Sequence, residues 1–522
     1  MKKLRGKSIL DTVLVSLFIA VALFCYFYWF IKDKNASLSM PEIATSGCIL
    51  LLFTLLVIKI IPMLTKFMFF YRKKPDDVLP SDENQSFAPE DHINLFDAPP
   101  ELSEVETIGT IEESPAQKAK EIEIAPLSLS DKDDKYTRLM IWGKIALFVL
   151  LTRIIIFVLA YVFARISGRN GDFISLFDPI WLHSGIDAPS YLGIAENFYV
   201  TSGDPMYHIV FFPFYSFLIK AFQLVFSNYF FSAMFVSNIA AIGVGIAGYE
   251  LMRIDFDSST ALRYVKYIFI LPAAFFYSAP MTESIFVLLC LLTLIFARKR
   301  IFWLSAIFGA LAAFTRSPGM LLVIPVAIEA FHALKDTYHD ERERFVPRLF
   351  GYAFSTLFIF SGIIAYIYIN YSVWGNPLQF TVFQKEHWGQ SMSYFFNTVQ
   401  YQTGYAIKAF QTMIESGMSD WKYFFALYMP GLIYMFSSLI IVLFAVRKLR
   451  PSYSAYFCVY FAFVCGATWL LSAPRYLMAS IVLPMAIALL TKKKWADITW
   501  TVVLSLLFLG YFYMYASSAP IY

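Results

Sequence analysis

Apolar runs near the length of a membrane span, about 20 residues, recur along almost the whole chain, and this repetition restricts the fold more than any other feature. Inside lipid, backbone N–H and C=O groups find partners only within a helix or a closed barrel. The runs here are continuous and do not alternate, which sets a β-barrel aside. The composition agrees, with 58% hydrophobic, 19% aromatic and only 15% charged residues, far from a soluble globular domain. The expected fold class is all-α: a polytopic transmembrane helical bundle of about 13 spans.

The first expected span, residues 9–31, follows a basic stretch, MKKLRGK. It is too long for a signal-peptide core and lacks a small-residue cleavage site, so it reads as a retained span with the N-terminus in the cytoplasm. A second covers residues 43–71, and together they make an N-terminal two-helix module over 1–74. Residues 75–135 differ in kind. Positions 76–134 hold 17 Asp or Glu residues, several prolines and no long apolar run. Such a segment cannot bury enough apolar surface to fold alone, and it reads as a disordered cytoplasmic linker suited to tethering a cytoplasmic protein partner. The body, 136–522, opens with a run at 139–166 and continues with runs near 228–250, 265–279, 281–297, 301–315, 318–333, 350–371, 424–446, 453–471, 475–491 and 497–516. All five cysteines lie inside apolar runs, as small hydrophobes rather than a disulfide framework. No Cys/His cluster has metal spacing, no cofactor is expected, and nothing points to nucleic acid.

Basic clusters at 298–300, 342–348, 447–450 and 492–494 fall, with these spans, on the side of the basic N-terminus. The positive-inside rule makes that side cytoplasmic. The agreement requires residues 211–226, apolar but containing Lys220, to be interfacial or re-entrant. The same topology gathers the unusual polar residues toward the opposite face, beside an outer loop at 167–227. Ionisable residues at membrane depth cost about 2.5–3.5 kcal/mol on insertion scales, and their presence points to function.

Asp187, in HSGIDAPSYLG, precedes a short helix and reads either as its cap or as a reactive carboxylate; Asp172, Asp178 and Asp204 are rivals. Arg316, in FTRSPGMLL, adjoins a helix break where amides and a guanidinium suit a phosphate, or is a snorkelling side chain at a turn. Glu283, in SAPMTESIF, caps a helix or faces the same space. Arg475, in SAPRYLM, repeats the pattern of a break followed by a cation. The stretch WGNPLQFTVFQKEHWGQ sets aromatics beside Lys385, Glu386 and His387, fitting membrane anchoring or sugar stacking.

In order along the chain, IDAPSYLGIAENFY with FFPFYSFLIKAF, TESIFVLL, AAFTRSPGMLLVIP, WGNPLQFTVFQKEHWG and PRYLMASIVLP resemble the PIG-V-like mannosyltransferases of the GT-C glycosyltransferases. The resemblance covers about 140–491 and leaves the first two spans and the linker outside. Ile186 stands where the family has a Trp before the aspartate. The resemblance implies a polyprenyl-phosphate sugar donor, mannose or another hexose, and inverting transfer on the extracytoplasmic face to a glycan, glycolipid or protein acceptor. It implies Asp187 as the catalytic base. Arg316 first and Arg475 second would stabilise the leaving phosphate, with Lys385 or His387 as further cations and Glu283 and Tyr191 in the same site. The membrane would be a bacterial plasma membrane or that of the endoplasmic reticulum. No Gly-rich phosphate loop is present and no convincing Asp-x-Asp lies at the outer face; Asp255 and Asp257 form such a spacing but fall on the cytoplasmic side. The competing reading is a lipid or glycan transporter, which would favour inverted repeats; no two-half symmetry is evident.

Overall fold

A computed structural model describes residues 2–32, 38–70, 135–183 and 186–521. Residues 71–134, which hold nearly all of the acidic linker, lie outside it. The described residues form helices joined by short breaks, with no strand beyond one isolated antiparallel bridge between Met392 and Ala467.

Two long helices, α1 (Lys2–Lys32) and α2 (Met40–Thr65), begin the chain. Glu42 turns back to accept from the Ser39 N–H at 2.7 Å, which fixes the start of α2. The body opens with α3 (Lys135–Ile166), followed by the short helices α4 (Phe173–Trp181), α5 (Ala188–Asn197) and α6 (Phe214–Phe226). Then come α7 (Tyr229–Arg253), α8 (Ser258–Ile270), α9 (Glu283–Arg298), α10 (Phe302–Thr315), α11 (Val323–Asp340), α12 (Phe345–Phe358) and α13 (Ser361–Trp374). The chain ends with α14 (Gln379–Glu386), α15 (Phe395–Glu415), α16 (Met429–Ala445), α17 (Pro451–Val464), α18 (Ala473–Met478), α19 (Val482–Leu490) and α20 (Lys494–Ala516).

Seven described helices are long and apolar enough to cross a membrane, or up to nine if each bent pair counts as one span. This is an integral multi-pass architecture. The number is below the count of apolar runs because several runs break. The run expected at 265–279 is helical only to Ile270; Pro272 follows, and a 3-10 turn at Ala274–Tyr277 replaces the helix. The run at 453–471 stops at Val464, before Gly466, and that at 475–491 is divided between α18 and α19. Helices α8, α9, α10 and α17 hold 13 to 16 residues, about 20–24 Å of helix, short of a hydrocarbon core about 30 Å thick. α6 is bent 114° from the preceding 3-10 helix, Asp204–Val210, either a broken span or a re-entrant loop.

Polar contacts tie the turns at one end of the bundle together. Arg298 reaches Asp255 at 2.7 Å and Tyr453 at 2.9 Å, Arg450 reaches Glu329 at 2.6 Å, and Lys266 reaches Asp497 at 2.7 Å. This basic end is one helix length from Glu283, since α9 runs from Glu283 to Arg298, about 22 Å. The N-terminal helices are packed into the body. Phe53 lies 4.7 Å from Phe395, Thr45 is 2.8 Å from Thr403, and Phe67 lies under Arg450.

Candidate functional site

Asp187 occupies the N-cap position of α5, and its backbone carbonyl accepts from the Ser190 and Tyr191 N–H groups at 3.1 and 3.2 Å. Its side chain makes no cap bond. Instead Arg475 Nη2 donates to Asp187 Oδ2 at 2.6 Å. The capping interpretation therefore describes the backbone and leaves the carboxylate for other work. Its rivals are spent locally. Asp172 caps α4 by accepting from the Ser175 N–H, and Asp178 and Asp204 are exposed and absent from the cavity described below.

Arg475 enters from α18, held at 4% exposure of its side chain. Its Nε lies 3.3 Å from Glu283 Oε1. Glu283, the first residue of α9, is fully buried and also ion-paired with Arg316. Arg316 follows the end of α10 in an extended conformation (φ −156°, ψ 144°), and a 3-10 turn over Ser317–Leu322 leads into α11. The turn presses so close to α10 that a Cβ at Gly319 would sit 2.3 Å from the Ala312 carbonyl carbon. Arg316 Nη1 also lies 3.3 Å from Thr282 Oγ1. The Tyr476 ring takes both guanidiniums, Arg316 at 4.4 Å and Arg475 at 5.4 Å from its centroid.

The result is a ladder of alternating charge, Asp187–Arg475–Glu283–Arg316, neutral in sum. Its members come from four separated parts of the chain. Asp187, Tyr191, Arg316, Lys385 and Arg475 line one cavity of about 930 Å³. Glu283 lies behind that wall. His387 does not line the cavity; its ring stacks on Tyr207 at 3.8 Å and meets Trp388 edge-on. Lys385 is a lining cation with no ion pair among the described residues. Burial first, and the nearby Asp187 carboxylate second, push the Tyr191 phenol well above its ordinary value. Tyr191 is therefore a hydrogen-bond donor near neutral pH, not a base.

The cavity is also lined by Gln384, Trp388 and Gln390, from the aromatic stretch that follows α13, and by Trp469, which the sequence did not single out. Gln384 donates to the side chain of Gln390, Gln390 Nε2 to Trp469 O at 2.8 Å, and Trp469 Nε1 to Trp388 O at 3.2 Å. Trp469 is the single indole between α17 and α18, with no amide beside it in the sequence to mark it. Asp255 and Asp257 act separately at the basic end, one ion-paired with Arg298 and the other capping α8 at Thr260 N. No group of three or more His, Cys, Asp or Glu able to hold a metal is found among the described residues.

No family model, curated protein or solved structure matches the chain.

Proposed function

We propose that this chain is an integral membrane glycosyltransferase that moves a hexose from a polyprenyl-phosphate carrier to an acceptor hydroxyl, with inversion. One observation carries the reading. A partly exposed carboxylate with one oxygen unbonded faces a large cavity, while the buried Arg475 anchors its other oxygen. Asp187 Oδ2 is held by Arg475, and Oδ1 makes no hydrogen bond among the described residues. In this scheme the acceptor oxygen attacks the anomeric carbon and its proton passes to Asp187. The bond from that carbon to the phosphate oxygen breaks, and the electron pair leaves with the lipid phosphate.

The charge ladder changes which cation meets the leaving group. Arg316 and Arg475 are taken up by two carboxylates, so the unpaired Lys385 is the better match for developing phosphate charge. The arginines fix the base, and Tyr191 donates a hydrogen bond into the same space. In this topology the basic end is cytoplasmic and the N-terminus lies there. The short helices are counted as passes within the bundle to give about 13, and the cavity opens on the extracytoplasmic face.

The test is transfer of labelled hexose from a synthetic polyprenyl-phosphate donor by the purified full chain and by Asp187→Asn. The reading expects turnover by the wild type and its near-complete loss in the variant. Equal turnover in both removes Asp187 from the chemistry. No transfer from any polyprenyl donor, together with measurable lipid movement across vesicles, replaces the enzyme with a transporter.

A further inference from the structure

No residue before Asp187 lines the cavity, yet α1 is joined to its wall by consecutive hydrogen bonds. Trp29 Nε1 in α1 donates to Asn397 Oδ1 in α15 at 3.0 Å. Asn397 Nδ2 donates to Ser393 Oγ at 2.6 Å, and Ser393 N to Gly466 O at 2.9 Å. Two residues away, Thr468 N donates to Ser391 O at 2.9 Å, and Ser391, Met392, Gly466, Ala467 and Trp469 all line the cavity.

This wall is two irregular segments whose backbones pair through one isolated bridge between Met392 and Ala467, with side-chain bonds such as Gln390 to Trp469 O beside it. Neither belongs to a helix, so no continuous helical hydrogen bonding runs through them. They approach so closely that a Cβ at Gly466 would lie 3.1 Å from Ser393 O. α15 supports the first segment, and α15 is fastened along α2 by Thr45–Thr403 at 2.8 Å and Gln400–Glu42 at 3.1 Å. The Trp29 ring is buried, with the Phe396 ring 5.3 Å away.

We propose that the α1–α2 pair is a positioning element for the cavity, acting through Trp29 and Asn397 to hold the 390–393 and 466–469 segments in register. These residues touch no reacting atom. Their effect is on the shape of the wall that faces Lys385 and the Asp187–Arg475 pair, whatever ligand the cavity takes.

Hydrogen–deuterium exchange of the full chain in lipid nanodiscs, without substrate, tests this independently of the glycosyl-transfer reading. Trp29→Phe keeps the ring and deletes the donor; Asn397→Ala cuts the next link. Each single variant should raise exchange in the peptides holding Ser393 and Thr468 about fivefold, the size of one lost net hydrogen bond. The double variant should be no faster than either single one, because the links act in series. Peptides of α9 and α10 should stay unchanged. Unaltered exchange at both wall peptides, or additive effects in the double variant, overturns the proposal. If Trp29→Phe does not accumulate, Thr403→Val removes a second contact between the pair and α15. It carries the same expectation at the Ser393 and Thr468 peptides, and unchanged exchange there overturns the proposal equally.

Discussion

Two buried clusters in this molecule have the same formal composition: two arginines and two carboxylates. At the basic end, Glu329 takes Arg450 on both oxygens, at 2.6 and 2.8 Å, and accepts from Ser452 Oγ at 2.6 Å. Arg298 joins Asp255 at 2.7 Å and Tyr453 at 2.9 Å. None of these residues lines the large cavity. At the cavity end, Arg475 holds Asp187 through one oxygen, Glu283 Oε2 has no hydrogen-bond partner among the described residues, and Asp187 is 28% exposed. The first cluster is saturated and ties α9, α11 and α17 together. The second keeps acceptor capacity in reserve beside a cavity. Charge content alone does not separate the two clusters; the number of satisfied oxygens and access to a cavity do.

The largest expected effects exchange places between the two clusters. Asp187→Asn should lower sugar transfer by about 10²–10⁴-fold, the size of a lost general base, with a smaller fall in stability than at the basic end, because Asp187 is partly exposed and Arg475 keeps Glu283. Glu329→Gln should do the reverse. It leaves Arg298 and Arg450 facing a neutral amide, and stability should fall by about 3–5 kcal/mol, as when one partner of a buried pair is removed. Thermal melts and turnover per folded molecule check both. A variant of Glu329 that folds normally but loses turnover would break the distinction.

Lys385 sharpens it at a smaller scale. If the unpaired lysine meets the phosphate, Lys385→Ala should raise the donor KM by about tenfold, the value of one charge-assisted hydrogen bond, and Lys385→Arg should restore most of it. Arg316→Ala should instead show first as lower thermal stability, because it strips Glu283 of a partner. Donor KM and melting temperature measured on both variants decide which cation faces the ligand.

Much of this arrangement was legible in the chain. Continuous apolar runs announce a helical membrane bundle, and α7, α16 and α20 lie close to the runs that predict them. Helix breaks were less legible, because hydropathy stays high through residues 271–282 while Pro272 and Pro280 turn the backbone. Asp187, Glu283, Arg316, Lys385 and Arg475 could be picked out as misplaced polar residues, and Tyr191 only through the family resemblance. Their pairing could not. Asp187 and Arg475 are 288 positions apart, and periodicity carries no information about contacts at that distance. The pairing of Arg316 with Glu283 likewise depends on how α9 and α10 pack.

The smallest expected effect concerns a cation that belongs to neither cluster. Arg153, in α3, is 2% exposed. Its guanidinium makes one hydrogen bond, to Thr152 Oγ1 at 3.3 Å, and lies 5.0 Å from the Phe269 ring, while Nε and Nη1 have no partner among the described residues. Burying a charge so poorly matched opposes folding, and a methionine of similar length would fill the same space without that desolvation. Arg153→Met should leave transfer intact and leave stability unchanged or raised by about 1 kcal/mol, the low end for replacing buried ions with apolar residues. The check is a melt beside a turnover assay. If the variant loses several kcal/mol or stops turning over, Arg153 has a partner of consequence, and division of the buried charge into one structural and one reactive cluster leaves out a third.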